Sequence, residues 1–276
     1  MKNLSAATAI ALALTAGSAL AADLPSRKGP PVYIEPAPVF TWTGFYGGVN
    51  VGYGWADPRN VYGSEYFLNV PTGLAWSYNG PNFDGVLGGG QIGYNYQFAG
   101  TGFVVGVEAD IQAADLSGAS AGFGNNIGYF PYLTTRQTID WFGTVRGRVG
   151  YAVLPTLLVY GTGGFAYGGG SSRFTYFDSA NFSAFSSESN DTRTGWTAGG
   201  GVEWAFLPNW SAKVEYLYVD LGRGPGFWSN QFNPVGALTA FSSNQVGASN
   251  RFHTVKVGLN YHFNLFGSAG PVLAKY

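Results

Sequence analysis

The sequence predicts an all-β fold: an eight-stranded antiparallel up-and-down transmembrane β-barrel. Three observations favour it. Apolar and polar residues alternate with a period of two over stretches long enough for tilted membrane strands, which need about 9–11 residues. Beyond the N-terminal leader, no stretch reaches the about 18 unbroken apolar residues of a membrane-spanning helix. Short turns and long connections alternate strictly, as they do in bacterial outer-membrane barrels.

The composition points the same way. Charged residues make up 11% of the 276 residues, against about 25% in ordinary soluble domains. Aromatic residues reach 17%, and the 43 glycines are about twice the usual share. A net charge of −1 argues against a nucleic-acid partner, which would need clustered Lys and Arg. Because there is no cysteine, disulfides and thiolate metal sites are excluded.

The N-terminal residues predict export from the cytoplasm. Lys2 precedes an uncharged apolar run at 6–16, and Ala19-Leu20-Ala21 supplies small residues for signal peptidase. Residues 1–21 are therefore predicted to be a Sec-type signal peptide. The next segment, 22–41, contains five prolines, which disfavour both helix and sheet, so it is predicted to be an extended periplasmic linker.

The barrel is predicted over residues 42–263, followed by a periplasmic tail at 264–276. Its strands are predicted at 43–56, 84–98, 102–113, 135–153, 156–169, 193–207, 210–221 and 250–263. The short turns are predicted at Gly100-Thr101, Leu154-Pro155 and Pro208-Asn209, and the long connections at 57–83, 114–134, 170–192 and 222–249. Since short turns are periplasmic in such barrels, both termini are expected in the periplasm.

Within each strand, large apolar residues and charges fall on opposite faces. Val49 and Val51 lie opposite Asn50, and Val107 lies opposite Glu108. The lumen of an eight-stranded barrel only just accommodates side chains, so the bulky aromatic residues are expected to face outward, to lipid. They cluster near the two ends of the strands, which predicts two aromatic girdles at the membrane interfaces.

The polar face places charges of both signs inside the predicted lumen. They are Glu108, Asp110, Arg146, Arg148, Glu203, Lys213, Glu215 and Lys256. The third and fourth strands are neighbours, so their four charges can face one another, and the last three strands bring the other four together. Since an unpaired buried charge is costly, they are expected to pair as a plug. The alternative is a charged constriction in a narrow pore.

The last strand alternates Lys256, Gly258, Asn260 and His262 with Val257, Leu259, Tyr261 and Phe263. The polar set is expected to line the lumen, with Lys256 close to Glu215. The spacing of Lys256, Gly258, Tyr261 and Phe263 resembles the terminal-strand signal read by the barrel-assembly machinery. That signal usually ends the chain, whereas residues continue here to Tyr276.

Histidine would be the natural residue for catalysis or metal binding, and there are two. His253 and His262 differ in parity and lie about 30 Å apart along one strand, so they cannot share a centre. We therefore expect no enzyme activity and no cofactor. Aromatic residues crowd two long connections: Phe174, Tyr176, Phe177, Phe182 and Phe185, then Phe227, Trp228, Phe232 and Phe241. They are expected either to bind an extracellular ligand or to pack on themselves.

Four stretches carry a resemblance to a known family. They are residues 22–25 (ADLP), 42–48 (WTGFYGG), 141–148 (WFGTVRGR) and the closing strand. The chain resembles the small eight-stranded outer-membrane proteins of alphaproteobacteria, known as outer-membrane immunogenic or porin-family proteins, which share their architecture with the barrel of outer-membrane protein A. The resemblance implies a surface-exposed structural barrel. Some members are antigens, weak pores or haem binders, and no haem-ligand motif is matched in this sequence.

The function expected from these observations is that of an integral outer-membrane protein with a structural and surface-display role. One alternative is a narrow porin for small solutes. Another is binding of a ligand such as haem, or of a host surface, by the long connections. The expected partners are outer-membrane lipid and the barrel-assembly machinery, and the oligomeric state is left open.

Overall fold

The structure is a computed structural model that describes residues 40–56, 60–68, 70–123, 132–178, 183–223, 227–232, 238–245 and 249–263. The predicted signal peptide, the predicted linker up to residue 39 and the predicted tail lie outside these residues. Within the described ranges, no helix is both long and apolar enough to cross a membrane.

The described chain is built from β-strands. In order they are β1 (Gly44–Ala56), β2 (Asn60–Phe67), β3 (Val70–Asn79), β4 (Asp84–Gln97), β5 (Phe103–Phe123), β6 (Tyr132–Leu154), β7 (Leu157–Asp178), β8 (Ser183–Leu207), β9 (Trp210–Arg223), β10 (Phe227–Phe232), β11 (Leu238–Gln245) and β12 (Ser249–Phe263). Eight of them form a closed antiparallel barrel in the order β1-β12-β9-β8-β7-β6-β5-β4. The ring closes because β1 pairs with both β12 and β4. The predicted eight-stranded barrel is confirmed.

The three short turns lie at one end of the barrel. Gly100 lies in the β4–β5 turn at a φ of 73°, a left-handed conformation that glycine adopts without steric cost. The β8–β9 turn is Pro208-Asn209, as predicted, since Leu207 pairs with Trp210. The β6–β7 turn is displaced by one residue from its prediction, because Leu154 pairs with Leu157.

The long connections at the other end differ from the prediction. Segments 57–83 and 222–249 were expected to be loops, yet they contribute a second sheet in the order β10-β11-β2-β3. Segments 114–134 and 170–192 were also expected to be loops, yet β5 to β8 run on through much of them. These stretches are rich in Ser, Thr and Gly on both parities, so their apolar period is weak in the sequence. Hydrogen-bonded ladders and a small buried cluster of apolar side chains hold them as strands.

The outward and inward faces follow the predicted parity. Val49 and Val51 are 65% and 64% exposed, whereas Asn50 between them is 8% exposed. In β12, Tyr261 and Phe263 face outward and His262 is buried. The outer surface of the barrel is thus apolar and the charged residues line the lumen.

The lumen also holds aromatic residues, which corrects the expectation that all of them face lipid. Tyr46, Phe142, Tyr160 and Phe252 are buried inside. Glycine on a neighbouring strand makes the room: a Cβ built on Gly93 would lie 2.4 Å from the Tyr46 ring. The lumen of an eight-stranded barrel has little room for aromatic residues, but single rings fit where a glycine on the neighbouring strand faces them.

Candidate functional site in the barrel lumen

Eight charged side chains converge inside the barrel. They come from β5 (Glu108, Asp110), β6 (Arg146, Arg148), β8 (Glu203), β9 (Lys213, Glu215) and β12 (Lys256). Each is an inward-facing residue, and none is more than 5% exposed. Four carboxylates and four cations therefore share a volume that solvent barely reaches.

Arg146 is the central cation of this group. Its Nη2 lies 2.5 Å from Glu108 Oε1 and 2.8 Å from Asp110 Oδ2, and its Nη1 lies 3.0 Å from Glu215 Oε1. A planar guanidinium presents several donors in a fixed geometry, which suits it to bridging three anions. Thr144 donates a further hydrogen bond of 2.9 Å to Asp110 Oδ2.

Glu108 is the corresponding central anion. Besides Arg146, it accepts hydrogen bonds of 2.9 and 2.8 Å from Lys213 Nζ. The hydroxyl of Tyr46 donates to Glu108 Oε2 at 2.7 Å. Arg148 Nη1 lies 3.7 Å from the same oxygen. One carboxylate thus serves cations from β6 and β9, on different sides of the lumen.

Arg148 and Glu203 form the part of the network nearest the short turns. The Arg148 guanidinium pairs with Glu203 and lies 3.7 Å from the centre of the Tyr160 ring, a cation–π geometry. Glu203 Oε1 accepts hydrogen bonds from Ser211 at 2.6 Å and Asn260 at 2.8 Å. The Glu203 carboxylate is therefore satisfied by a cation and two neutral donors.

Lys256 completes the group. Its Nζ lies 3.3 Å from Asp110 Oδ2 and 3.4 Å from Glu215 Oε1. The sequence placed Lys256 beside Glu215, and the two are paired in register. The sequence also predicted two separate groups of charges, one on the third and fourth barrel strands and one on the last three. The structure instead joins all eight residues into one network across the lumen.

Three of the carboxylates, from Glu108, Asp110 and Glu215, have oxygens within 4.8 Å of one another, a spacing compatible with a metal site. Arg146 already contacts all three of them. Its charge supplies the neutralisation that a divalent cation would otherwise provide. The three carboxylates are therefore arranged as the anions of a salt-bridge network.

Four polar partners of the network were not singled out from the sequence: Tyr46, Thr144, Tyr160 and Ser211. Two further partners, Asn260 and His262, were expected to line the lumen, and both are buried there. Each of them lies on the buried, inward-facing parity of its strand. Parity could therefore have identified the first four as well, since a buried carboxylate needs several donors and these side chains supply them.

Apolar layers flank the charges on both sides. Toward the long hairpins lies a cluster that includes Leu116, Phe142, Leu217 and Phe252, with the Phe142 and Phe252 rings 5.3 Å apart. Toward the short turns, Trp42 is fully buried just before β1 and its ring lies 5.8 Å from that of His262. Trp42 was assigned no lumen role from the sequence.

The residues of the predicted assembly signal lie on both faces of β12. Lys256 and Gly258 face the lumen, whereas Tyr261 and Phe263 are exposed on the outside, their rings 5.2 Å apart. The Tyr261 ring also lies 5.2 Å from that of Trp210 on β9. These outward aromatic residues belong to the short-turn end of the barrel.

The aromatic residues predicted for the long connections have different environments. Phe174 and Tyr176 are buried in a cluster with Val61, Tyr78 and Leu133, so they pack between the second sheet and the extended strands. Burial raises the pKa of the Tyr78 hydroxyl to about 12. Phe177 is exposed. Residue 182 and the side chains of residues 185, 227, 228, 232 and 241 lie outside the description.

Exposed aromatic residues form two bands around the apolar outer wall. Trp204 and Phe206 pair at the short-turn end, and Trp196 and Tyr218 pair toward the long hairpins. Between them Val202 and Val214 are exposed. A closed barrel with an apolar wall between two aromatic bands is a transmembrane β-barrel.

The chain belongs to the family described as "Outer membrane protein beta-barrel domain", whose sequence model matches residues 9–263. It is 38% identical to the 31 kDa outer-membrane immunogenic protein of Brucella melitensis over 255 residues, covering 91% of this chain and 96% of the relative. It is 32% identical to the 22 kDa outer membrane protein of Rhizobium leguminosarum bv. viciae, covering 66% of each.

Among solved structures, the outer membrane protein OprG from Pseudomonas aeruginosa matches 80% of this chain and 97% of its own, at 13% identity and a TM-score of 0.41. The family and the fold place the protein in the bacterial outer membrane, as the sequence predicted. In such barrels the short turns are periplasmic and the longer loops extracellular, which orients the lumen layers described above.

Proposed function

We propose that this protein is a structural component of the outer membrane, with a sealed lumen and a scaffold of strands displayed at the cell surface. The network of eight buried charges supports the sealed lumen most directly. Every charge in it lies within 4.0 Å of an opposite charge, and each is almost fully buried. An eight-stranded barrel is also narrower than the 16- to 18-stranded porins that hold an aqueous channel.

Two further layers support the seal. The cluster around Phe142 and Phe252 fills the lumen on the extracellular side of the charges. Trp42, Phe40 and His262 fill it on the periplasmic side. A solute would have to displace apolar side chains at both ends as well as separate ion pairs in the middle.

The display role rests on the long hairpins. Strands β5 to β8 have 21 to 25 residues, and a membrane crossing needs about 9–11. The additional residues extend these strands well beyond the outer leaflet. Relatives carry names that describe them as outer-membrane immunogenic proteins, and we propose that the projecting strands make this protein an accessible surface antigen too.

Assembly is the remaining part of the proposal. We propose that the barrel-assembly machinery reads the closing strand through Lys256, Gly258, Tyr261 and Phe263. The two aromatic side chains lie on the outer face of β12, at the seam with β1 where the barrel closes. Both termini are proposed to be periplasmic, and the two histidines, on opposite faces, are proposed to have no catalytic role.

A narrow pore is the second candidate function. It is favoured by polar side-chain atoms inside the barrel that have no hydrogen-bond partner among the described residues, including both amide atoms of Asn95 and Gln112 and the hydroxyl of Thr254. Such atoms are usually satisfied by water, and water beside these side chains would favour a pore. The pore would require a route for solute between these side chains and past Arg146.

Conductance in planar lipid bilayers separates the two candidates. We expect the purified full-length barrel to give no sustained single-channel steps under conditions in which a general porin conducts. The variant Arg146→Ala should then give brief steps, since it removes the side chain that joins three carboxylates but leaves the apolar layers on both sides in place. The matched control is Arg251→Ala, which removes an arginine from an ion pair with Asp220 that is partly exposed. Sustained steps from the wild-type protein would contradict the sealed lumen.

A further inference from the structure

A small pocket opens on the outer face of the projecting strands, above the extracellular aromatic band. It has a volume of about 330 Å³ and is lined by Arg136, Thr138, Asp140, Ser171, Arg173 and Glu188. These residues come from β6, β7 and β8. The pocket faces the surroundings of the barrel and is separate from the lumen network.

An irregularity in strand pairing coincides with the pocket. Gln137 pairs with Ser172, but the next paired residue, Trp141, pairs with Gly169. Three residues of β6 therefore stand opposite two of β7, which is the arrangement of a β-bulge. Bulges redirect side chains and occur often beside binding sites. Here the hydroxyls of Thr138 and Ser171 are brought within 2.9 Å of each other at the bulge.

The two arginines at the pocket differ in whether they have a partner of opposite charge. Arg136 and Arg173 are directly opposite in register, and like charges in that position are destabilising. Arg173 is held by Glu188, with its Nη2 2.6 Å from Glu188 Oε2. Among the described residues, no ion pair or hydrogen bond involves the exposed side chain of Arg136. An anion at Arg136 would relieve the repulsion.

The height of the pocket limits what can supply that anion. Tyr167 belongs to the extracellular aromatic band, since its ring stacks on Phe165, which is paired with Trp196. On β7, which has no bulge in this stretch of its pairing with β8, Arg173 lies six residues beyond Tyr167. That is about 20 Å along the strand, or about 15 Å in height at a tilt of about 40°. A phospholipid headgroup layer extends only about 5–8 Å beyond the hydrocarbon. At the height of Arg173, the neighbour in an outer leaflet is the saccharide of lipopolysaccharide.

We propose that this pocket binds an anionic sugar unit of outer-leaflet lipopolysaccharide. Arg136 takes the phosphate or carboxylate group through charge-assisted hydrogen bonds, which a guanidinium forms in a bidentate geometry. Asp140 accepts hydrogen bonds from sugar hydroxyls, and Thr138 and Ser171 add two hydroxyls. The barrel then holds specific lipopolysaccharide molecules around its projecting strands.

The test uses the full-length protein in phospholipid nanodiscs and purified lipopolysaccharide as the probe, with binding followed by native mass spectrometry. We expect Arg136→Gln to weaken binding about ten- to hundredfold, the loss of one charge-assisted interaction. Arg251→Gln is the matched control and should bind as the wild type does, because Arg251 lies on β12 and pairs with Asp220. Migration on unboiled gels confirms that each variant is folded.

A second variant tests the assignment in the opposite direction. Glu188→Gln releases Arg173 from its ion pair and should tighten binding, whereas a purely structural role for the pair would leave binding unchanged. Equal binding by wild type and Arg136→Gln would overturn the proposal. So would competition by phosphatidylglycerol as effective as that of lipopolysaccharide, which would place the site at a phospholipid headgroup. Stronger binding of a soluble sulfated glycan would likewise overturn the assignment to the outer leaflet.

Discussion

The lumen of this barrel is filled in two different ways at two neighbouring heights. In the middle, eight charged side chains fill it with ion pairs. Toward the cell surface, the same strands contribute an apolar cluster. A single strand contributes to both, since β6 supplies Phe142 to the apolar cluster and Arg146 to the charges. Only the side chains differ, because the backbone around both layers is the same closed ladder.

The two layers should respond differently to a small change. Apolar packing is non-directional, and neighbouring side chains relax partly into a lost volume. An ion pair in a buried site depends on its partner, since removing one member leaves an uncompensated charge. Because Glu108 and Arg146 each contact three residues of opposite charge, we expect the charge layer to behave as one unit and the apolar layer as separate contacts.

The largest effect is expected from Glu108→Gln. Glutamine keeps the shape of glutamate, so the packing is unchanged, but Lys213 and Arg146 lose a shared anion. We expect the free energy of unfolding to fall by about 3–5 kcal/mol, the usual cost of breaking a buried pair. Urea unfolding in detergent micelles, followed by tryptophan emission, measures it.

The control for this prediction lies on the outside of the barrel. Glu188 pairs with Arg173 at 2.6 Å, close to the 2.5 Å of Glu108 and Arg146, but both side chains are about half exposed. Glu188→Gln should therefore cost at most about 1 kcal/mol. Equal losses from the two substitutions would show that burial of the network is not what makes it costly to break.

The second effect, smaller than the first, is a partial rescue. Lys213→Met removes a cation that Glu108 holds, with little change in side-chain volume. In the Glu108→Gln background it should restore stability, with an interaction energy of about 1–3 kcal/mol in a double-mutant cycle. Strict additivity of the two single losses would contradict a network that acts as one unit.

The sequence predicted which residues face the lumen. It did not predict which of them contact one another there. Parity assigns a face of the strand, and all eight charges do face inward. Parity does not say how far a long side chain reaches across. Glu203 and Lys213 are paired in register on adjacent strands, yet Glu203 contacts Arg148, and Lys213 contacts Glu108 from β5. Those choices depend on the radius of the closed barrel.

The extracellular half of the lumen was the harder part to predict. Phe142 has the same inward parity as Arg146, but a general limit on aromatic bulk argued against placing it inside. What makes room for it is a glycine on the next strand: a Cβ built on Gly168 would lie 2.9 Å from the Phe142 side chain. Such large–small pairing depends on register, which single-strand periodicity does not contain.

The smallest effect is expected from Phe142→Leu in the apolar layer. Leucine keeps the site apolar and removes part of the ring that packs against Phe252. The nearby Leu221 side chain borders the same space and can relax toward it. We expect a loss of less than about 1.5 kcal/mol, well below the about 3–5 kcal/mol of a Phe→Ala truncation because leucine fills most of the space, measured by the same urea unfolding. Bilayers should stay silent, because the charge layer below is intact. A loss as large as that from Glu108→Gln would mean that the apolar cluster, and not the ion-pair network, is the cooperative seal of this barrel.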